Sequence, residues 1–394
     1  MILPIYVKNV LGALERAGHE CYCVGGCVRN FLLSIPISDY DVTTSALPSE
    51  TLSALYDFKT IETGIKHGTV TAISDSHPIE ITTYRSENTY SDHRHPDSVS
   101  FSKTLGDDLS RRDFTINALA FNEKSGIIDL FGGIQDIERR LIKTVGNPDE
   151  RFNEDALRIL RALRFASILG FDIEEKTSES IRKNFGLLSF ISKERIYSEL
   201  TRLICGNSAE KIIKDYAEIF SFVLGNELIS ANALEIAASS LSALPKEPHI
   251  RFAALFKGIG AASAQSILFS LKSDKNTLQS VITLVSASEI ALPKSRIEIK
   301  KLLRNYGAKS LKDILVLNEI YSEEIQKESS DILENGECFK LCDLEISGAD
   351  LLSLGFKGKQ IGAALEEILN LVIEEKLTNN KEKLIEYIKK SLLV

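Results

Sequence analysis

Apolar and polar positions follow two different patterns along the chain. Residues 1–145 mix short alternating segments, such as GTVTAIS at 68–74 and PIEITTYR at 78–85, with helical spacing such as SRRDFTINALA at 110–120. From about Asn147 onward, apolar residues recur every three or four positions, which predicts helices. Glycine and proline predict breaks between these helices near residues 206–207, 245–248, 293 and 336. The pattern therefore predicts an α+β protein, with an α/β head followed by an all-helical remainder.

Composition and length are those of a globular protein. The 394 residues exceed one ordinary core and are expected to form several domains. We expect no membrane partner, because no apolar run approaches the length of a bilayer span and the N-terminal segment is patterned as an amphipathic helix. Cys21, Cys23 and Cys27 crowd one predicted strand and turn without a CxxC pair or a nearby histidine, so reduced core thiols and a cytoplasmic location are expected.

The net charge of −8 gives the chain no overall attraction to nucleic acid. Any RNA contact would therefore need a local basic surface. The arginines that could form one are Arg111, Arg112, Arg139, Arg140, Arg158, Arg161 and Arg164.

Candidate chemistry is concentrated in VGGCVRNFLLSIPISDYDVTT at 24–44. If 38–44 is a strand, Asp39 and Asp41 project from one face, and two adjacent carboxylates are a usual way to hold Mg²⁺ against substrate phosphates. Gly25 and Gly26 allow the backbone to approach an anion at the start of the following helix. Together these features indicate a nucleotidyl-transfer site.

Two further segments extend this site. Glu80, in the predicted strand at 78–85, would supply a third catalytic carboxylate if that strand lies beside the first. The polar segment 84–101 that follows contains His93 and His95 and is too long for a tight turn, which favours a substrate-contacting loop over a metal site.

The segment DLSRRDFTINALAF at 108–121 places Arg111, Arg112 and Asp113 at the start of the predicted helix. The arginine pair would suit a triphosphate or a ribose, while Asp113 could simply be a helix N-cap. Asn117 lies one turn further along the same side.

Arginines recur every third residue in the otherwise apolar helical segment NEDALRILRALRF at 153–165. Buried guanidinium groups need partners. Asp155 and Arg158 would share a face and could read the Watson–Crick edge of a base, or they could form only an intrahelical ion pair. Glu154 could instead orient Arg158.

These segments resemble the motifs of class II tRNA nucleotidyltransferases, the CCA-adding enzymes and bacterial poly(A) polymerases. The resemblance covers nearly the whole chain, because further motifs match in order: DLFGGIQDIERRLIKTV at 129–145, SKERIYSELTRL at 192–203 and the tail segment 346–380.

The resemblance implies a polymerase-beta-like head at 1–145, a helical neck at 146–206, a body at 207–335 and a tail at 336–394. It implies binding of ATP, CTP and the tRNA 3′ end by a monomer or homodimer. The resemblance further implies that Mg²⁺ is bound by Asp39 and Asp41, and that the triphosphate is bound by Gly25, Gly26 and Arg29. It implies that the ribose and phosphates are contacted by Arg112, Asp113 and Asn117, and that the base is selected by Glu154, Asp155 and Arg158.

The chain departs from the family at two places. Asn30 stands where the family has an aspartate, and Phe256-Lys257 stands where a phosphohydrolase domain would need a His-Asp pair, so that second activity is not expected. The intact 84–101 segment disfavours an enzyme that adds only C. Full CCA addition is the favoured prediction, while an A-adding enzyme, a poly(A) polymerase, a small-molecule nucleotidyltransferase and a catalytically silent RNA-binding protein are the alternatives.

Overall fold

The computed structural model describes residues 1–87, 99–288, 290, 293–318 and 323–392. The chain divides into two compact units. One comprises Met1–Pro248 with Ile267–Ser273, and the other His249–Ser266 with Asp274–Val394. The finer division at residues 145, 206 and 335 stays a prediction.

A seven-stranded mixed sheet organises the first unit. Its strands are β1 (Cys21–Val24), β2 (Asp41–Thr44), β3 (Lys59–Ile61), β4 (Thr69–Ser74), β5 (His77–Thr83), β8 (Leu119–Asn122) and β9 (Gly126–Asp129). They lie side by side in the order β3-β4-β5-β2-β1-β8-β9. Strands β2 and β5 are parallel, and the other neighbouring strands are antiparallel. Two small sheets pair β6 (Arg85–Glu87) with β7 (Val99–Phe101) and β10 (Leu141–Ile142) with β11 (Asp172–Ile173).

Helices lie between and after these strands, and beyond β11 the described residues contain helices but no strand. Those of the first unit are α1 (Ile5–Arg16), α2 (Gly26–Leu32), α3 (Pro48–Ala54), α4 (Leu105–Ser110), α5 (Gly133–Glu138), α6 (Pro148–Glu154), α7 (Leu157–Leu169), α8 (Glu175–Asn184), α9 (Lys193–Ile204), α10 (Ala209–Asp215), α11 (Ala217–Leu224) and α12 (Ala231–Ala238). The predicted α+β head with helical domains after it is confirmed.

The second unit is helical in its described residues. It contains most of α13 (Pro248–Phe256) and the first part of α14 (Gly260–Ser270), whose residues from Ile267 belong to the first unit. Its other helices are α15 (Lys275–Ser286), α16 (Arg296–Leu317), α17 (Glu323–Glu334), α18 (Gly348–Ser353), α19 (Lys359–Ile373) and α20 (Lys381–Ser391). Leu303 and Ile332 belong to one buried apolar cluster, on α16 and α17. Leu351, Ile368 and Leu384 belong to another, on α18 to α20.

Several predicted elements are confirmed, and three are wrong in ways that matter for the site. The predicted helix at 110–120 is absent: α4 ends at Ser110, a short 3-10 turn covers Thr115–Asn117, and β8 begins at Leu119. Pairing of β8 with β1 and β9 outweighs the local helical pattern, because it satisfies the backbone groups of the segment within the sheet.

The other two errors concern where an element begins and where it breaks. The predicted strand at 38–44 begins only at Asp41, so Asp39 precedes it. The predicted helix at 153–165 breaks at Asp155, whose backbone is extended (φ −137°, ψ 103°), so Asp155 and Arg158 do not share one helical face.

The expectation that no apolar run approaches a membrane span is also wrong. The 23-residue helical stretch Pro248–Ser270 has the length and composition of a span, with 44% of its most apolar window buried within the protein. The core helix of a globular protein has the same properties, and a short turn at Lys257–Ile259 divides this one.

Candidate active site

The turn between β1 and α2 forms one wall of the site. Gly25 has a positive φ of 73°, a conformation that favours glycine, and its N–H donates to the Leu119 carbonyl of β8 at 3.1 Å. A Cβ atom at Gly25 would lie only 3.0 Å from Nη1 of Arg112. The predicted triphosphate residues Gly25 and Arg112 are therefore brought into contact, although they are far apart in sequence.

A buried hydrogen-bonded chain runs from α2 to α7 behind this turn. Arg29 donates through Nε and Nη2 to Asn30 Oδ1, at 3.1 and 2.8 Å, and through Nη1 to Asn117 Oδ1 at 2.5 Å. Asn117 in turn donates to Asp113 Oδ1 at 3.1 Å, and Arg161 donates twice to Asp113 Oδ2, at 2.8 and 2.5 Å. Asn30 thus retains a pairing with Arg29 as a neutral acceptor.

Asp113 is the negative centre of this chain. Burial acts to raise its pKa, but the Arg161 guanidinium and the Asn117 amide outweigh burial and lower the pKa to about 2. Its Oδ1 also accepts from the Phe114 amide at 2.8 Å, which fixes the extended backbone here, and Asp113 caps no α-helix. The N-cap interpretation of this residue is therefore wrong.

Asp41 and Glu80 lie on two inner strands of the sheet, beside the glycine turn, and Asp39 precedes Asp41 by two residues. Asp41 on β2 and Glu80 on β5 are partners in the register of the parallel strands, as expected for a third carboxylate beside the first two. All three carboxylates are exposed to solvent, and Asp39 Oδ2 accepts from Ser38 Oγ at 2.8 Å. No hydrogen bond or ion pair to a described residue engages the Asp41 or Glu80 carboxylate.

The pKa of Asp41 shows how these charges act on one another. Desolvation by the surrounding protein raises it, and the Glu80 and Asp39 carboxylates raise it further, while Arg112 acts in the opposite direction. A carboxylate whose pKa is raised by like charges gains from a cation bound between them. The site therefore combines repelling acids with a nearby arginine.

The donor set fits a divalent cation that is shared with a substrate. Within the described ranges, no three Asp, Glu, His or Cys side chains form a ready metal cluster. Mg²⁺ commonly binds to one or two carboxylates together with water and substrate phosphates, instead of a complete protein cage. The carboxylates of Asp41 and Glu80, which have no partner among the described residues, could serve as the one or two protein ligands of such an ion.

The predicted base-reading residues have different partners from those expected. Asp155 Oδ2 accepts from Arg195 Nη2 at 2.9 Å, and Asp155 Oδ1 accepts from the Leu157 amide at 3.1 Å. Arg158 pairs with Glu154 and donates to the Arg111 carbonyl at 3.0 Å. The intrahelical Asp155–Arg158 pair is therefore wrong, and the orientation of Arg158 by Glu154 is confirmed.

Arg164 occupies a structural position. It lies 2.9 Å from Glu199 of α9, with both side chains 8% exposed. Burial lowers its pKa to about 10 despite the opposing effect of Glu199. The guanidinium groups of Arg29, Arg161 and Arg164 all lie within 4.3–5.6 Å of the Phe165 ring centroid, so one ring contacts three of the predicted arginines.

Sequence reasoning missed Asp108, Phe165, Arg195 and Glu199. Asp108 could have been found from its spacing, three and four residues before the arginine pair on a short helix. The other three carry no local signal, because their partners lie on other elements. The predicted loop at 84–101 falls largely on residues 88–98, which lie outside the described residues.

Comparison with known proteins defines the class. The family described as Poly A polymerase head domain matches residues 21–143, and tRNA nucleotidyltransferase domain 2 matches residues 249–388. The RNA and SrmB binding site of polymerase A matches residues 170–219. Together with the site above, these matches define a nucleotidyltransferase.

Individual relatives then give the family. The CCA-adding enzyme of Limosilactobacillus reuteri is 36% identical over 398 residues, covering 96% of this chain and 94% of the relative. That of Lactobacillus delbrueckii subsp. bulgaricus is 52% identical over 207 residues, which span only 52% of each chain. The crystal structure of the Bacillus stearothermophilus CCA-adding enzyme in complex with CTP has a TM-score of 0.84 and 29% identity, covering 99% of this chain and 98% of that one. The chain belongs to the CCA-adding enzyme family.

Proposed function

We propose that this protein adds CMP and AMP from CTP and ATP to the 3′ end of tRNA without a nucleic-acid template, releasing pyrophosphate. One observation carries the proposal: the paired strand positions of Asp41 and Glu80 lie beside a glycine turn that contacts Arg112. Acidic groups for a metal and a cationic turn for phosphates are the two requirements of nucleotidyl transfer.

The phosphate side of the site is formed by arginines with different partners. Arg29 is buried and bonded directly to two neutral amides, Asn30 and Asn117, so none of its bonded partners among the described residues neutralises its charge. We assign Arg29 and Arg112, with the backbone of Gly25 and Gly26, to the triphosphate. Asp113 and Asn117 hold the surrounding network and offer polar groups to the ribose.

The acidic side of the site would hold Mg²⁺ through Asp39, Asp41 and Glu80. When bound, this ion would activate the tRNA 3′ hydroxyl and offset the charge of the triphosphate. The hydroxyl attacks the α-phosphorus of the nucleotide in line, and pyrophosphate leaves from the opposite side. The chain's own contribution is to position the two reactants and to carry complementary charge.

Base selection is assigned to Asp155 and Arg158, each oriented by its own partner. Cytosine and adenine present an amine next to a ring-nitrogen acceptor, which suits one carboxylate and one guanidinium. Guanine and uracil present a carbonyl in place of the amine, and it would face the Asp155 carboxylate without a proton between them. Such an unpaired contact costs roughly 1–3 kcal/mol, which corresponds to roughly 5- to 150-fold discrimination.

The main alternatives predict different products. An A-adding enzyme would extend only RNA ending in CC, and a poly(A) polymerase would add many adenylates. A silent RNA-binding protein is disfavoured, because nothing in its function would need the mutual repulsion of Asp41 and Glu80.

The test offers purified protein three tRNA transcripts, ending before CCA, after C and after CC, with CTP and ATP given separately and together. We expect C to be added to the first two, A to the third, and complete CCA when both nucleotides are present. Extension of only the CC-ending transcript by ATP would replace this proposal with the A-adding one, and a long adenylate tail would replace it with the polymerase.

A further inference from the structure

A carboxylate outside the assigned site holds both arginines of the RRD segment. Asp108, on α4, has no exposed surface. Its Oδ1 accepts from Arg111 Nε and Nη2 at 3.1 and 2.7 Å, and its Oδ2 accepts from Arg112 Nη2 at 3.2 Å. Both oxygens of one buried acid are therefore used to hold two neighbouring guanidinium groups.

This arrangement favours the ionised form of Asp108. Burial acts to raise its pKa, but Arg112 and Arg111 outweigh burial and lower the pKa below its ordinary value. An ionised carboxylate between two arginines offsets one of their charges and leaves one positive charge in excess. That excess charge can serve a bound anion.

Of the two arginines that Asp108 holds, Arg112 is the one that lies next to the glycine turn of the candidate active site. Its Nη1 lies 3.0 Å from the position that a Gly25 Cβ would occupy, and its charge opposes the raised pKa of Asp41. Its only side-chain hydrogen bond to a described residue is the one from Nη2 to Asp108, so Nη1 keeps its donors unused next to the glycine turn. Arg112 is thus held by Asp108, lies next to the glycine turn and acts electrostatically on Asp41.

We infer that Asp108 is a positioning residue for the nucleotide triphosphate, acting through Arg112 without itself touching the substrate. Asp108 holds Nη2 of Arg112, which fixes the side chain so that its remaining donors face the glycine turn. Because this contact concerns phosphates and not the base, CTP and ATP depend on it equally. The inference rests on the proposed function and adds to it a residue outside the assigned site.

The test compares Asp108→Asn, Arg112→Ala and the double variant, with Asp136→Asn as a matched control. Asp136 is another buried carboxylate of the same unit, but it accepts from the Thr115 hydroxyl at 2.6 Å. The melting temperature of each variant is measured first. With tRNA transcripts as acceptor, we then measure KM and kcat for both nucleotides and the inhibition by tripolyphosphate and by CMP.

We expect Asp108→Asn to raise KM for CTP and ATP by roughly tenfold, with a smaller change in kcat, because a charge-assisted hydrogen bond is lost. Tripolyphosphate should inhibit more weakly by the same factor, while inhibition by CMP is unchanged. Since Asp108 acts through Arg112, adding Asp108→Asn to Arg112→Ala should have no further effect on KM. Asp136→Asn should lower the melting temperature without these changes in KM.

Unchanged KM and tripolyphosphate inhibition in Asp108→Asn, or additive effects in the double variant, would overturn the inference and leave the proposed function intact. Failure of the wild-type protein to incorporate any nucleotide would instead overturn the proposed function. If Asp108→Asn does not fold, Asp108→Glu takes its place in the same comparison, since it keeps the charge and shifts it by one methylene.

Discussion

Asp41 and Glu80 are paired in register on the parallel strands β2 and β5, and the Glu80 carboxylate contributes to raising the pKa of Asp41. This relationship joins two segments that are separated by 38 residues of sequence. It gives the candidate metal site a measurable property, because mutual repulsion at the site lowers the stability of the free protein.

We therefore predict that Asp41→Asn stabilises the protein in the absence of Mg²⁺. The folded pKa of Asp41 is raised above its ordinary 3.8, so ionisation at neutral pH disfavours the folded state. Removing this charge should raise the melting temperature at pH 7 by about 2–4 °C. The gain should shrink as the pH falls and disappear below about pH 3.8, where Asp41 is protonated in both the folded and the unfolded chain.

Calorimetry across this pH range, with and without Mg²⁺, checks the prediction. Added Mg²⁺ should stabilise the wild type more than Asp41→Asn, because an ion that binds only the folded protein raises its stability. A variant that melts at or below the wild-type temperature at pH 7 without Mg²⁺ would contradict the repulsion described above.

A second prediction concerns the buried pair of Arg164 and Glu199. Replacing Glu199 alone with leucine leaves a buried guanidinium unpaired and should lower the free energy of unfolding by about 3–5 kcal/mol. The double variant Arg164→Met/Glu199→Leu should recover most of this loss, since an apolar pair of similar size avoids the desolvation cost. Urea unfolding followed by circular dichroism measures both, and a double variant no more stable than the single one would count against a structural role for the pair.

A third prediction is that Asp155→Ala/Arg158→Ala relaxes nucleotide choice more than it slows the reaction. UTP and GTP should then compete with CTP and ATP, because the groups that penalise a misplaced carbonyl have been removed. A competition assay with all four nucleotides measures this. Strict selectivity for C and A in the double variant would mean that Asp155 and Arg158 serve only to connect α7 with Arg195, Glu154 and the Arg111 carbonyl.

A fourth prediction addresses the segment 84–101, whose ends form the β6–β7 hairpin. We expect a shortened segment to spare addition of C and to reduce addition of A strongly. The reason is that the intact segment would refit the nucleotide pocket from one base to the other. Incorporation into transcripts ending before CCA and after CC separates the two steps. Equal loss of both steps would assign the segment a general structural or catalytic role.

The success of sequence reasoning varied with how local the determining interactions are. The alternation that predicted β4 and β5 placed Glu80 correctly, and the helical spacing predicted after Asn147 agrees with helices such as α9. The segment 110–120 was predicted wrongly as a helix because its structure depends on strand partners elsewhere in the chain.

The same reason explains the errors around the base-reading residues. The break at Asp155 separates α6 from α7, and its carboxylate is bound by Arg195, 40 residues further along the chain. Similarly, Arg29 and Asn117 are brought together over 88 residues. Spacing within one segment carries no information about such partners.

The measurement that tests the central claim most directly compares Asp41→Ala with the wild type in single-turnover addition of AMP to a CC-ending tRNA, with tRNA binding measured in parallel. Asp57→Ala, which removes an exposed carboxylate elsewhere in the head, is the matched control. We predict that Asp41→Ala abolishes incorporation and binds tRNA normally, that Glu80→Ala is severely impaired, and that Asp57→Ala behaves as the wild type. Near-normal turnover by Asp41→Ala would contradict the assignment of the chemistry to the paired carboxylates of β2 and β5.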